Sequence, residues 1–429
     1  MTQPPIYPVV IKDIQRPIVS TLANGMKMEV MNIANSPLVR LDFLFHTGKW
    51  QQDKPLQAYV TLDQMKEATC DMDHERVAKM LDFYGANVST SSTYGYSVLT
   101  VTCLSKFLTE ILQLVRDFLI VPLFDEQLLK LQMMQDKQVF EIQEQKVDIQ
   151  CQKLFNRKFF GNQHPMARYA VADDYDHLCT DDLKSYHRRF IHSGNCSVWI
   201  TGNTTDKIIE RVAVVFGDRP WGGCEQVNNT PQPHGLALQN RGKRFSMDMP
   251  HAVQTAVRIG MIFPETHSDD YLPALFMATL LGGYFGSRLM SNIRERKGWT
   301  YGIQIVPTST PFENVMSVIT QTDNKYVEKL IPEVWSEVDR LKRELVGEDE
   351  LQRVKNYLVG QLCRNLELGF NLPYLLMDFT DKKLTLDDVM RQADDIRNIT
   401  PEMVRDMARK HLVENQAVVC TAGKNSMIS

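Results

Sequence analysis

The chain of 429 residues carries one pattern twice. Thr180-Asp-Asp-Leu leads through a helical stretch to Asn195 and into the apolar run Val198-Trp-Ile-Thr and Gly202. Thr400-Pro-Glu-Met leads over the same fifteen residues to Asn415, then to Val418-Val-Cys-Thr and Gly423. A second match sets Leu38-Val-Arg-Leu-Asp-Phe-Leu-Phe45 against Ala256-Val-Arg-Ile-Gly-Met-Ile-Phe263, a shift of 218 residues. Two segments that agree on so long a period indicate a duplicated domain and not a solenoid of short units. Halves of about 200 residues also suit the size at which a single hydrophobic core stops growing. The expected organisation is one copy over residues 1–217, a connecting stretch over 218–243, and a second copy over 244–429. The connection, from Asp218-Arg-Pro-Trp-Gly-Gly through Pro231, Pro233 and Gly235 to Lys243, is rich in turn formers and has no apolar period.

Strand and helix signals alternate within each copy. Gly25-Met-Lys-Met-Glu-Val, Leu38 to Phe45 and Ser97-Val-Leu-Thr-Val-Thr read as strands. Asp73 is a good N-cap for the helical run that begins His74-Glu-Arg-Val, and Asp125 to about Phe160 reads as one long helical region. The pattern predicts an α+β fold, with a sheet covered on one face by helices in each half.

Composition excludes several functions. With 48 basic and 52 acidic residues the formal charge is −4, so there is no basic field for nucleic acid. Phe118-Leu-Ile-Val-Pro-Leu-Phe124, the most apolar stretch, is too short to span a bilayer, and Met-Thr-Gln-Pro-Pro at the start is unlike a secretory signal. A soluble, cytoplasmic protein without a membrane partner is expected. The eight cysteines show no Cys-x-x-Cys pair and read as reduced, largely buried thiols.

One segment stands out. Ser287-Arg-Leu-Met-Ser-Asn-Ile-Arg-Glu-Arg-Lys297 is a helix former, Gly298 a stop, and Trp299-Thr-Tyr-Gly-Ile-Gln-Ile305 a strand. Across that glycine a guanidinium, Arg294, and a phenol, Tyr301, can converge at the corner. Taken alone, Arg294 reads more simply as a solvated helix residue and Tyr301 as a half-buried strand residue. His187 and His192 are five apart, which turns their imidazoles to different sides of a helix, and His46, His74 and His164 have no partner at a ligand interval. Gly282-Gly-Tyr-Phe-Gly286-Ser lacks the pattern of a phosphate-binding loop.

Nearly the whole chain resembles the M16 metallopeptidases, the inverted-zinc-motif family of pitrilysin, insulin-degrading enzyme, the mitochondrial processing peptidase and the cytochrome bc1 core proteins. The likeness rests on the two halves, the strand Leu41 to Gly48, Phe83-Tyr-Gly-Ala86, Gln163-His-Pro165, and Leu289 to Gly302 with Arg294 and Tyr301 at the family's spacing. It implies two homologous α/β-roll halves, each a mostly antiparallel mixed sheet with helices on one face, closed as a clamshell of the LuxS/MPP-like metallohydrolase type. It also implies that Tyr301 supplies an oxyanion donor and Arg294 holds a substrate carbonyl.

The family's zinc helix reads His-x-x-Glu-His, two imidazoles on one helical face beside a general base. Here Ala58-Tyr-Val-Thr-Leu-Asp-Gln-Met65 takes that place, so Val60 and Gln64 stand where the histidines belong and Asp63 where the base belongs. The third ligand aligns with Glu141. The expectation is therefore no metal bound by this chain, with zinc on a His-x-x-Glu-His-bearing partner. The resemblance points to the zinc-free subunit of a heterodimeric peptidase acting on a peptide or unfolded segment, with Asn87, Val88, Ser89 and Thr90 as the strand that substrate extends. Val88 departs from the Asn-Ala pair of active members. Two alternatives stand beside this reading: an inactive structural protein like the bc1 core subunits, and an autonomous peptidase with an atypical metal site.

Overall fold

A computed structural model describes residues 16–33, 35–223, 236–309, 313–367, 369–370, 372–381 and 384–424. In the first half β1 (Ile18–Thr21), β2 (Lys27–Asn32), β3 (Leu38–Phe45), β4 (Asn87–Ser92), β5 (Ser97–Leu104) and β6 (Cys196–Gly202) form a sheet ordered β1-β2-β6-β3-β5-β4. In the second half β7 (Arg244–Asp248), β8 (Gln254–Phe263), β9 (Thr300–Ser309), β10 (Asn314–Asp323) and β11 (Val418–Gly423) are ordered β7-β11-β8-β10-β9. With β1 set aside, the two orders are the same. In each sheet one pair is parallel, β2 with β6 and β7 with β11, and the other pairs are antiparallel. The sequence repeat is thus a repeat of topology. Residues 224–235 of the central connecting stretch lie outside the described residues.

The first half contributes α1 (Gln57–Met65), α2 (His74–Tyr84), α3 (Leu108–Ile120), α4 (Glu126–Gln143), α5 (Val147–Phe160), α6 (Ala172–His177), α7 (Thr180–Phe190) and α8 (Asp206–Gly217). The second contributes α9 (Tyr271–Ala278), α10 (Val327–Arg343), α11 (Glu348–Glu367), α12 (Leu372–Asp381), α13 (Leu386–Arg397) and α14 (Pro401–His411). Asp73 caps α2 as expected, its carboxylate accepting from the Arg76 amide at 2.9 Å. The region read as one long helix is two. The chain turns at Glu144–Lys146, where Lys146 is extended and Glu144 accepts from Gln150 and pairs with Lys153 of the next helix. No proline or glycine marks that break, so helical periodicity runs through it in the sequence.

Each sheet buries one face under helices of its own half, in one large apolar cluster per half. The structure adds something the one-face expectation did not contain, because the opposite faces are covered reciprocally. Met31, Leu44, Val98 and Trp199 of the first sheet pack on Leu366, Leu372, Leu376, Met377 and Val389 of α11 to α13. Ala256, Val315, Val418, Cys420 and Ala422 of the second sheet pack on Cys151, Phe155, Phe159 and Phe160 of α5. Alternate strand positions are therefore apolar on both sides, as two-sided burial requires.

Arg40 and Arg258, 218 residues apart on β3 and β8, mark these two contacts. Arg40 lies over the Tyr374 ring at 3.8 Å, donates to the Phe370 carbonyl at 2.8 Å, and is held by Asp42 at 3.0 and 2.8 Å. Thr100 donates to the same carboxylate at 2.6 Å. In the second copy glycine replaces the aspartate. A Cβ on Gly260 would lie 2.1 Å from Phe155 Cζ, so the absent side chain is the space that the aromatic ring of α5 fills.

Two outcomes follow for stability. Asp42→Ala strands a buried guanidinium and should cost roughly 3–5 kcal/mol, whereas Gly260→Ala should cost about 1–3 kcal/mol by forcing α5 outward. Denaturant midpoints unchanged in both variants would show that the reciprocal faces are not tightly packed. A pH effect comes from His187 on α7, whose Nε2–H donates to the Leu119 carbonyl at 2.9 Å beside Phe124. Burial drags its imidazole down to about 4, the carbonyl contact opposing only in part. The folded chain then binds this proton less readily than the unfolded chain. Its contribution is complete above about pH 6.5 and lost as pH falls toward 4, a decline of roughly 3 kcal/mol. Unfolding curves from pH 7 to 4 should show it, and His187→Gln should flatten it.

Candidate functional site

The helix set against the zinc motif in the sequence is α1, whose buried residues are Ala58, Val60, Leu62 and Met65 together with the polar Gln57, Thr61 and Gln64. Val60 is fully buried in the first core, and Gln64 is 2 % exposed. Gln64 Nε2 donates to Gln132 Oε1 of α4 at 2.7 Å. Asp63 accepts from Thr90 Oγ1 of β4 and, at 3.5 Å, from Gln132 Nε2. One turn earlier, the Tyr59 hydroxyl donates to Asp136 of α4 at 2.7 Å, and burial, with that hydrogen bond, pushes the phenol well above its usual range. Glu141 is exposed, further along α4 than the residues that meet α1. The groups opposite α1 are thus Gln132 and Asp136, which sequence spacing did not single out.

These residues do not fit zinc. A site needs three or more protein ligands at about 2 Å. Here a valine, an amide bonded to another amide, and a carboxylate occupied by a threonine hydroxyl stand in its place. Among the described residues no group of three or more His, Cys, Asp or Glu side chains is placed to hold a metal ion. The arrangement does join two predicted sets, because Asp63 of the degenerate motif meets Thr90 of the expected substrate strand. That strand, β4, is an edge, paired only with β5, and Asn87 and Ser89 are exposed while Val88 turns toward the core.

The corner of the second half is built from an irregular helix. Residues Met290–Arg296 form a π-helical turn, with the Lys297 amide reaching the Asn292 carbonyl at 3.1 Å. Such turns are uncommon and gather at functional sites. Asn292 ties the turn to α10 through Glu333 and Glu337 at 2.6 and 2.7 Å. Gly298, at φ +64°, reverses the chain into β9. The same device, helix, left-handed glycine and edge strand, recurs at α2, Gly85 with φ +59° and β4. A register shift near Thr300, where Thr300 Oγ1 meets Thr320 Oγ1 at 2.8 Å, sets the start of β9. Tyr301 emerges from it 90 % exposed. Arg294 lies with its guanidinium over the Phe285 ring at 4.7 Å.

Tyr301 and Phe285 border a cavity of about 840 Å³, with Tyr284, Arg258 and the amides of Gln152, Gln254, Gln304 and Gln321 also in its wall. Arg294 sits behind Phe285 and does not itself line it. Burial pushes Cys151, another wall residue, up to about 12, which keeps the thiol protonated and unreactive. A second cavity of about 390 Å³ lies by α1, between α4 and α5, walled by Tyr59, Asp136, Phe140, Lys153, Tyr169 and Tyr175. Gln152 of α5 belongs to both walls. The cavity near the degenerate motif and the cavity near Tyr301 are thus neighbours.

Known proteins carry the same organisation. Residues 178–358 match the family profile described as the peptidase M16 inactive domain. The uncharacterized zinc protease YmxG of Bacillus subtilis (strain 168) is 20 % identical over 419 residues, 95 % of this chain and 99 % of its own length. Among solved structures, the peptidase M16 inactive domain from Pseudomonas fluorescens superposes with a TM-score of 0.83 at 20 % identity, covering 97 % of this chain and 100 % of that one. The periplasmic protease PqqL from Escherichia coli gives 0.78 at 12 % identity over 98 % of this chain but 47 % of its own, so this chain spans about half of PqqL. Among the described residues no helix is long and apolar enough to cross a membrane. The chain is a homologue of the M16 zinc peptidases, with a domain of the family's inactive type and without the paired histidines of its zinc motif.

Proposed function

We propose that this protein is the zinc-free subunit of a two-chain M16-type peptidase, working in the cytoplasm with a homologue that carries His-x-x-Glu-His. The observation that carries this reading is the contrast between the two ends of the molecule. At α1 a valine and an amide bound to Gln132 stand at the expected ligand positions, while at β9 a phenol stands exposed beside a large cavity. Tyr301 makes no hydrogen bond among the described residues, so its hydroxyl is available to a substrate oxygen.

In this reading the hydrolytic chemistry belongs to the partner, and this chain contributes positioning and charge. Negative charge builds on the peptide carbonyl oxygen as the bond is attacked, and a fixed hydroxyl donor there favours the transition state over the ground state. Arg294, packed on Phe285, is the candidate to hold a neighbouring substrate carbonyl. Extended substrate would add to a sheet edge, β4 through Asn87 to Thr90 or the outer side of β9, where backbone groups are unpaired. An inactive interaction protein is the competing reading, favoured by one observation: Arg294 engages Phe285 rather than the cavity.

The assay is cleavage of a quenched fluorescent peptide by each chain alone and by the mixture with a His-x-x-Glu-His homologue. Activity is expected only in the mixture, and Tyr301→Phe should lower kcat roughly 100- to 1,000-fold with KM little altered. Cleavage by this chain alone, with zinc bound at one equivalent, would overturn the proposal. Full activity of the Tyr301→Phe mixture would favour the interaction protein.

A further inference from the structure

The internal duplication supplies a control for Arg258. Its counterpart Arg40 is a closed unit, held by Asp42, the Phe370 carbonyl and the Tyr374 ring. Arg258 keeps only the ring, that of Phe155 at 5.6 Å, because Gly260 stands where the aspartate would be. Among the described residues the Arg258 guanidinium has no hydrogen-bonded or ion-paired partner. It is the one cation in the wall of the 840 Å³ cavity, and the one acid there is Asp148, exposed on α5 and not within bridging distance. Polar groups elsewhere in that wall include the amides of Gln152, Gln254, Gln304 and Gln321 and the Thr320 hydroxyl. Burial pushes the Arg258 guanidinium down from its ordinary value, opposed only in part by the nearby Cys151, Tyr169, Cys420 and Asp148. An arginine nonetheless stays charged, and its planar fork matches a carboxylate in two parallel hydrogen bonds.

We infer that the cavity beside Tyr301 is a carboxylate-binding subsite in which Arg258 takes the place in a ligand interaction that Arg40 fills internally with Asp42. The ligand class is a peptide carboxylate, either a free C-terminus or an acidic side chain. This deepens the peptide-binding reading above and rests on it. It places the anionic end of a peptide on the floor of the cavity, with the chain leaving past Tyr301 along β9.

Three acetylated pentapeptides of alanine and leucine test this by calorimetric titration into the full chain: one with a free C-terminal carboxylate, one amidated, and one amidated with a central glutamate. Either carboxylate-bearing peptide should bind roughly tenfold or more tightly than the neutral amide, and which one does so identifies the source. Arg258→Gln should abolish that preference and Arg258→Lys should keep part of it. Binding of all three with equal affinity overturns the subsite alone. Binding of none overturns the peptide reading with it. Thermal unfolding separates a structural role, since Arg258→Gln should melt no lower than the parent, in contrast to Asp42→Ala. A comparable loss of stability would assign Arg258 to packing and sink the proposal.

Discussion

Burial of a second face on each sheet is the constraint from which the rest of the architecture follows. A sheet covered on one side by its own helices leaves the other side to water or to another element. Here the strands carry Met31, Leu44, Val98 and Trp199 on one such side, and Ala256, Val315, Val418 and Cys420 on the other. That much apolar surface is covered by helices of the opposite half, at about 25 cal/mol per Å² removed from water. The exchange fixes α5 against β8 and β11, and α5 in turn forms the wall between the two cavities. Site geometry is therefore a product of the way the copies hold each other.

The inward side of α1 shows how the positions expected for a zinc motif are filled without one. Removing two imidazoles from a buried helix leaves space and unpaired polar groups, both costly. Val60 fills the first position with apolar volume, and at the second Gln64 Nε2 donates a hydrogen bond to Gln132. Asp63 finds the Thr90 hydroxyl. Of these groups Gln64 Oε1 alone is left buried without a partner among the described residues, and α1 keeps its place against α7 and β4.

Much of this was legible in the sequence, for physical reasons. The duplication was visible because strand and helix patterns at matching offsets reflect one topology, and β3 and β5 begin where their alternating residues do. Gly298 was legible because a chain reversal after a helix needs a left-handed residue. The break between α4 and α5 was not, since it is made by Glu144 collecting side chains from the following helix. Nor were Gln132 and Asp136, whose relevance depends on how α4 lies across α1. Arg258 was in plain view in the alignment of Leu38–Phe45 with Ala256–Phe263. The exchange of aspartate for glycine beside it gains meaning only when Phe155 is seen to occupy the gap.

Reciprocal packing also bears on how such a gene can change. Two fused copies that merely touch are free to drift apart, each tuning its own interior. Here Phe155 belongs to the first copy and the hollow at Gly260 to the second, while Tyr374 and Arg40 make the converse pair. A bulkier side chain on one must be answered by a smaller one on the other. Recombination that grafted half of a distant cousin onto this chain would bring together surfaces that had never been selected to mate.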